Sequence, residues 1–250
     1  MRDELQRGFE AMSNPIQKPE LPKRFYTDVT VEETAEGFEI RLDGRPVRTP
    51  ARTLLALPAR APAEAVAAEW AGQGTHIDPA TMPVTRLVNT VLDGVANDPN
   101  ATRADLARYA ETDLIAYRAD EPERLAKRQA EAWDPLAAWL EERFGVRIAT
   151  AAGVMHVAQP PETLEALRAR LGEESDPFRL AAIHQMTTLT GSLILALAVA
   201  ADRLDAAEAW RLAHVDEDWN ISLWGEDEEA KARREARFAD MRAADLLLRG

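Results

Sequence analysis

The side chains able to do chemistry in this chain are plentiful but scattered. Four histidines, His76, His156, His184 and His214, fall far apart, without the spacing that would bring two imidazoles onto one metal ion. Cysteine is absent, which removes thiol nucleophiles, disulfides, zinc–cysteine sites and iron–sulfur clusters. Gly72-Gln73-Gly74 opens like a dinucleotide fingerprint, but Ile77 stands where the third glycine belongs and the run follows a helical pattern instead of a strand. No phosphate loop closing in Gly-Lys-Ser/Thr is present. Ser192 follows Gly191 in an apolar stretch that lacks the second glycine of a nucleophile elbow, and reads as a packing residue. The carboxylates Asp216, Glu217 and Asp218, and those from Glu226 to Glu229, are consecutive. On a helix, neighbours in sequence point in different directions, so these acids do not converge on a cation. The expectation is no metal, no cofactor and no catalytic residue. The rival reading is a small-molecule enzyme working through Tyr109, Asp113 and the His214/Glu217 pair, which would require a deep pocket joining them.

The late segment that carries Glu217 has the more informative pattern. From Asp205 to Leu223 the spacing predicts one helix. At about 100° per residue, Leu212, Val215, Trp219 and Leu223 form one apolar stripe. Trp210, Ile221 and Trp224 lie on the opposite side with Glu217 among them. A single stripe suffices to dock a helix on its own domain; the second needs another cover. Either the helix runs through the middle of a bundle, with Glu217 paired to an arginine or to His214, or the Trp/Glu face is a docking surface of hot-spot composition.

Composition narrows the partners. The 250 residues are 46% hydrophobic and 29% charged, the balance of an ordered globular chain, and the net charge is −13. That field disfavours nucleic acid and anionic membranes and suits a basic partner or a basic patch on one. Arg41, Arg45, Arg48 and Arg52 cluster on a hairpin, where charged strand edges are the ordinary reading. The longest apolar run, Leu193 to Ala201, is well short of the ~20 residues that span a bilayer. No secretory or transit signal is read at the N-terminus, and a cytoplasmic location is expected.

Three regions are expected: a loose lead-in over 1–22, a β-rich domain over 23–98 and a helical domain over 99–250, an α+β chain in all. Thr27 to Glu33 and Phe38 to Leu42 alternate as strands, Asp43-Gly44 reads as a type I′ turn, Arg45 to Thr49 pairs back and Arg52 to Leu57 adds a last strand. A helix over 62–73 covers them through Val66 and Trp70, and another follows Met82-Pro83. The Asn97-Asp98-Pro99-Asn100 cluster marks the boundary. Helices are then expected over 101–119 and 121–133. Asp134 and Pro135 serve as cap and first residue of a further helix carrying Leu136, Leu140 and Phe144. Two short strands, 146–150 and 154–158, precede helices over 162–171, 177–201 (interrupted at Gly191), 205–223 and 226–248.

Seven blocks in this order carry a resemblance. They are Lys23 to Tyr26; Leu42 to Arg45 with Thr49-Pro50; Glu69-Trp70 with Gln73; Met82-Pro83; Tyr109 with Thr112-Asp113 and Tyr117-Arg118; Gln129 with Trp133-Asp134-Pro135 and Trp139; and Glu217 with Trp219 and Trp224-Gly225. Together the chain resembles the assembly chaperones of the F-type ATP synthase catalytic head that handle the alpha subunit, in mitochondria and related bacteria. The resemblance implies a β-rich domain followed by a helical one. It implies a non-enzymatic, ATP-independent protein that holds unassembled alpha subunits soluble until beta subunits displace it. It also implies that an acidic residue on the late helix, here Glu217, is important, and that Trp70 is a packing residue. The acidic run after Trp224-Gly225 departs from the mitochondrial pattern. A helical adaptor with many clients is the remaining alternative.

Overall fold

In the computed structural model, which describes residues 20–153 and 155–250, the turn at Asp43-Gly44 organises the first third of the chain. The expected lead-in lies almost wholly outside the described residues. Asp43 and Gly44 both take positive φ, 48° and 76°, as the type I′ turn demands. The turn joins β2 (Gly37–Leu42) to β3 (Arg45–Pro46), while β1 (Val29–Thr34) pairs antiparallel with β2 from Val29↔Leu42 to Thr34↔Gly37. The last strand, β4 (Ala56–Leu57), pairs with the start of β2. It is shorter than the expected 52–57, because Arg52 (φ 70°) belongs to a tight turn closed by its amide donating to the Thr49 carbonyl. Gly37 cannot be replaced freely: at φ 113° a Cβ would collide with the Leu57 carbonyl oxygen. Asp43 has a second job. One carboxylate oxygen accepts from the amides of Thr27 and Asp28 and from the Thr27 hydroxyl, at 3.1, 2.8 and 3.0 Å. Those bonds, the Asp28 amide foremost, hold its pKa below the usual carboxylate value.

Helix α1 (Arg60–Ala71) covers the sheet with Ala63 and Val66, both fully buried. Its Trp70 sits half-buried, edge-on to Tyr26 at 5.7 Å, and the Tyr26 hydroxyl donates to the Trp70 carbonyl at 2.7 Å. Glu69, one residue earlier, accepts from the amides of Val84 and Thr85, each at 2.7 Å, and so caps the start of α2 (Pro83–Thr90) from a distance. α2 continues through a wider turn over 91–95. Asp98 then caps α3 (Pro99–Glu111) through the Ala101 amide, with Pro99 at the first helical position.

Several expected elements end differently. α3 stops at Glu111, not 119. Asp113 starts a short helical turn over Leu114–Ala116, and Tyr117–Arg118 form β5. The strands expected at 146–150 and 154–158 do not form, and position 154 itself lies outside the described residues. Only β6 (Ala151–Ala152) pairs, in parallel with β5. The backbone of Ala149 is satisfied instead by the Gln159 amide group, at 2.9 Å on both its N–H and its carbonyl. Between β5 and β6 runs α4 (Glu123–Phe144), one unbroken helix with Pro135 inside it. Asp134 is therefore no cap; it accepts from Arg118 at 3.0 Å. The helix survives its proline because Trp133, Leu136 and Leu140 on one face are all buried, which outweighs one lost backbone bond.

The remainder is helical: α5 (Pro161–Glu173), α6 (Pro177–Thr190), α7 (Leu193–Ala200), α8 (Ala206–Ala213), α9 (Val215–Trp224) and α10 (Glu228–Arg249). The expected interruption at Gly191 is real, with φ 72°. α7 is buried all round from Leu193 to Val199. α10 lies along α6 and reaches back to α2, with Arg86 and Asp240 2.5 Å apart. One hydrophobic core consequently runs from Ile40 through Val88 to Leu248. The architecture is α+β, a small antiparallel sheet leading into a mainly helical body.

Candidate docking site on the late helix

The helix expected over 205–223 is two helices, α8 and α9, meeting at His214 (φ −112°, ψ 25°). The break has a local cause. The Trp210 carbonyl, which would accept the His214 amide in a continuous helix, is instead 2.7 Å from His214 Nδ1. The Leu212 carbonyl, which would accept the Asp216 amide in a continuous helix, accepts from Trp133 Nε1 at 2.8 Å. With both acceptors engaged by side chains, the His214 amide turns to the Arg211 carbonyl at 3.3 Å, and the chain changes direction.

The break separates the residues the continuous helix would have grouped. Trp210 turns inward, 7% exposed, its ring tilted against His214 at 4.0 Å and against Phe238 of α10 at 5.5 Å. It is a packing residue, and its place on the docking face is corrected accordingly. Leu212 and Val215 are buried too, but Trp219 is half-buried and Leu223 is 55% exposed, so the second stripe fades along α9. Val215 is the one buried residue of α9. This helix does not run through the middle of a bundle; it projects from one.

Glu217, Ile221 and Trp224 do come together. They line a cleft of about 410 Å³ between α9 and the start of α10, which supplies Lys231 and Arg234. Trp224 is 86% exposed, the most open large apolar side chain among the described residues. The charges in and beside the cleft are mostly committed. Asp216 accepts from the buried Gln129 side chain at 2.7 Å, Asp218 pairs with Arg234 at 2.6 Å, and Lys231 pairs with Glu226 at 3.1 Å. Among the described residues Glu217 has only His214 Nε2, at 3.7 Å.

That contact is weak for a stated reason. A carbonyl can only accept, so the proton of neutral His214 lies on Nδ1 toward Trp210, and Nε2 turns a lone pair toward Glu217. Burial pushes the His214 pKa below its ordinary value; the Trp210 bond and Glu217 pull it up, while Arg234 and Arg237 add to the depression. Near neutral pH the Glu217 carboxylate therefore faces solvent without a cationic partner among the described residues.

The other residues singled out lie elsewhere. Asp113 is completely buried, holding the amides of Ile115 and Ile194 at 3.2 and 3.1 Å. Tyr109 is half-buried on α3. The structure does not join either of them to Glu217, and the pocket an enzyme would need is not built from this set. Trp133 is the buried keystone between α4 and α8, and Trp70, Asp43 and Gly44 act in the sheet region described above. Gln129 was missed as a site support: its side chain bridges the Ala119 amide and Asp216, and only its place in the Gln129/Trp133 block hinted at it. Among the described residues, no helix is long and apolar enough to cross a membrane. No group of three or more potential metal ligands occurs among the described residues.

Residues 23–141 match the ATP12 chaperone protein family. A solved Atp12 of Paracoccus denitrificans is 42% identical and superposes with a TM-score of 0.82, over 91% of this chain and 97% of that one. The solved Atu1473 protein of Agrobacterium tumefaciens, a chaperone candidate, is 48% identical, with a TM-score of 0.86 over 100% and 96% of the two chains. Protein atp12, mitochondrial, of Schizosaccharomyces pombe is 25% identical over 230 residues, 87% of this chain and 78% of that protein.

Proposed function

We propose, since the chain belongs to the ATP12 chaperone family, that it is an ATP-independent chaperone of ATP synthase assembly. Its client is the unassembled alpha subunit, which it keeps from aggregating until a beta subunit takes its place. A ring subunit without its neighbours exposes large apolar interfaces, and a binder that covers one suppresses self-association by mass action. Release then needs only a competitor for the same surface. The observation that carries the reading is the unpaired Glu217 beside the exposed Trp224 and half-buried Ile221: an aromatic anchor with one free charge, on a helix that buries little of itself. Glu217 would meet a lysine or arginine of the client and fix register more than add affinity.

The test is co-expression with the alpha subunit of the same organism, scored for soluble alpha and a co-purifying complex. Wild type is expected to retain alpha in solution and Glu217→Lys to lose it while folding normally. If Glu217→Lys performs like wild type, the client contact lies on another surface. If wild type neither binds nor solubilises alpha, the proposed client is wrong.

A further inference from the structure

A second open cleft lies on the sheet region and shares no lining residue with the α9 surface. It has a volume of about 560 Å³ and is lined by Phe25, Tyr26, Val47 and Trp70, with Arg45 and Arg48 beside them. Phe25 is 73% exposed, so together with Trp224 it makes up the strongly exposed aromatics of the described residues. Its ring meets Tyr26 edge-on at 5.3 Å, and Tyr26 in turn meets Trp70, giving a three-ring wall. The indole N–H of Trp70 is buried without an acceptor among the described residues, and so contributes no donor to the open cleft.

The charges at this cleft run against those of the chain. The molecule carries −13, yet Arg45 and Arg48 have no carboxylate within ion-pair distance among the described residues; Arg48 donates only to the Arg52 carbonyl, at 2.9 Å. Asp43, the one acid lining the cleft, is engaged by two amides and a hydroxyl. Exposed aromatic surface fenced by unpaired guanidiniums is the composition of an interaction hot spot, and arginine pairs carboxylates in planar, two-bond geometry. We infer that this cleft receives an acidic segment of a partner protein, with an aromatic side chain against Phe25 and Tyr26 and flanking carboxylates on Arg45 and Arg48. The occupant's sign is opposite to that expected at Glu217, so the two surfaces select different sequences. The inference stands independently of the client proposed above.

The probe is a fluorescein-labelled peptide of one phenylalanine flanked on each side by two aspartates, titrated with the full chain and followed by anisotropy at low and physiological salt. Wild type is expected to bind, more weakly as salt rises. Arg45→Glu and Phe25→Ser are expected to weaken binding about tenfold or more, Arg45→Lys to retain most of it, and Trp224→Ala to leave it unchanged. Both altered positions are exposed, and thermal melts confirm that the variants fold. The inference is overturned if wild type does not bind the peptide, if a peptide with lysines in place of the aspartates binds as well, or if Arg45→Glu and Phe25→Ser bind like wild type. A loss on Trp224→Ala instead would place the peptide on the α9 cleft and also overturn it.

Discussion

His214 Nδ1 lies 2.7 Å from the Trp210 carbonyl, and this hydrogen bond both sits at the break in the late helix and sets the state of Glu217. It fixes the tautomer in which Nε2 cannot donate to the Glu217 carboxylate 3.7 Å away. Protonation of His214 would reverse that, converting a lone pair into a cationic donor and drawing Glu217 into an internal pair.

A pH dependence of client capture follows. Burial lowers the His214 pKa from its ordinary value of about 6.5, so the switch lies on the acid side of that figure. Client binding is expected to hold at pH 7 and to weaken only as the pH drops below about 6.5, with His214→Asn flattening the profile. Stability moves in the same direction. Because the folded-state pKa is depressed, the unfolded chain takes up the proton more readily, and stability is lost as pH falls from 6.5 through the folded value. Binding measured against pH for both proteins checks the point; parallel profiles would exclude His214.

Trp210 and Trp224 should part company under mutation. Trp224→Ala removes a side chain that is 86% exposed, and a surface substitution of this kind shifts stability by about 0.5 kcal/mol or less. It should nevertheless reduce recovery of soluble alpha subunit. Trp210→Ala empties a site closed by His214 and Phe238 and should cost about 3–5 kcal/mol. Urea melts of the two variants beside co-expression yields separate the roles. A large stability loss in Trp224→Ala would contradict the exposure on which the site rests.

Much of this arrangement was legible in the sequence where the signal was local. Asp43-Gly44 specified its turn because few residue pairs tolerate two positive φ angles in succession, and Gly191 marked a helix end for a related reason. Glu217, Ile221 and Trp224 share one short stretch, so periodicity grouped them correctly. Trp210 was placed on the wrong face because the periodicity cannot see Trp133, 77 positions upstream of it, claiming a carbonyl of the same helix at Leu212. Asp134-Pro135 misled in the opposite sense: the local cap-and-proline signal was overridden by the buried face of Trp133, Leu136 and Leu140. The distant cap that Glu69 provides to α2 is a long-range bond with no signature in spacing.

The Trp133 indole offers a direct test of what holds α8 and α9 at their angle. Trp133→Phe keeps most of the buried volume but leaves the Leu212 carbonyl without its donor. It should cost about 1–3 kcal/mol, the range for orphaning a buried polar group, plus a smaller packing loss. If the bond helps break the helix, amide exchange around 212–216 should change more than at α6. Uniform exchange changes across the chain would mean that Trp133 contributes packing alone.

Asp113 predicts a second pH effect, of opposite sign to that of His214. Its carboxyl is fully buried, and desolvation pushes its pKa up to about 6 despite bonds from Ser192 and from the amides of Ile194 and Ile115. A raised folded-state pKa means that the folded chain holds the proton more tightly. The associated stability is complete below the unfolded value of about 3.9 and is lost as pH rises through 6. Asp113→Asn cannot titrate and turns an N–H₂ toward one of the two backbone amides, so it should be destabilised by about 1–3 kcal/mol at pH 4.5. As pH rises toward 7 the wild type loses its advantage, and the difference between the two proteins should shrink. Urea unfolding at pH 4.5, 5.5 and 7 measures this. A difference that stays constant with pH would show that Asp113 keeps the same protonation state throughout and that its amide bonds, not its proton, determine its contribution.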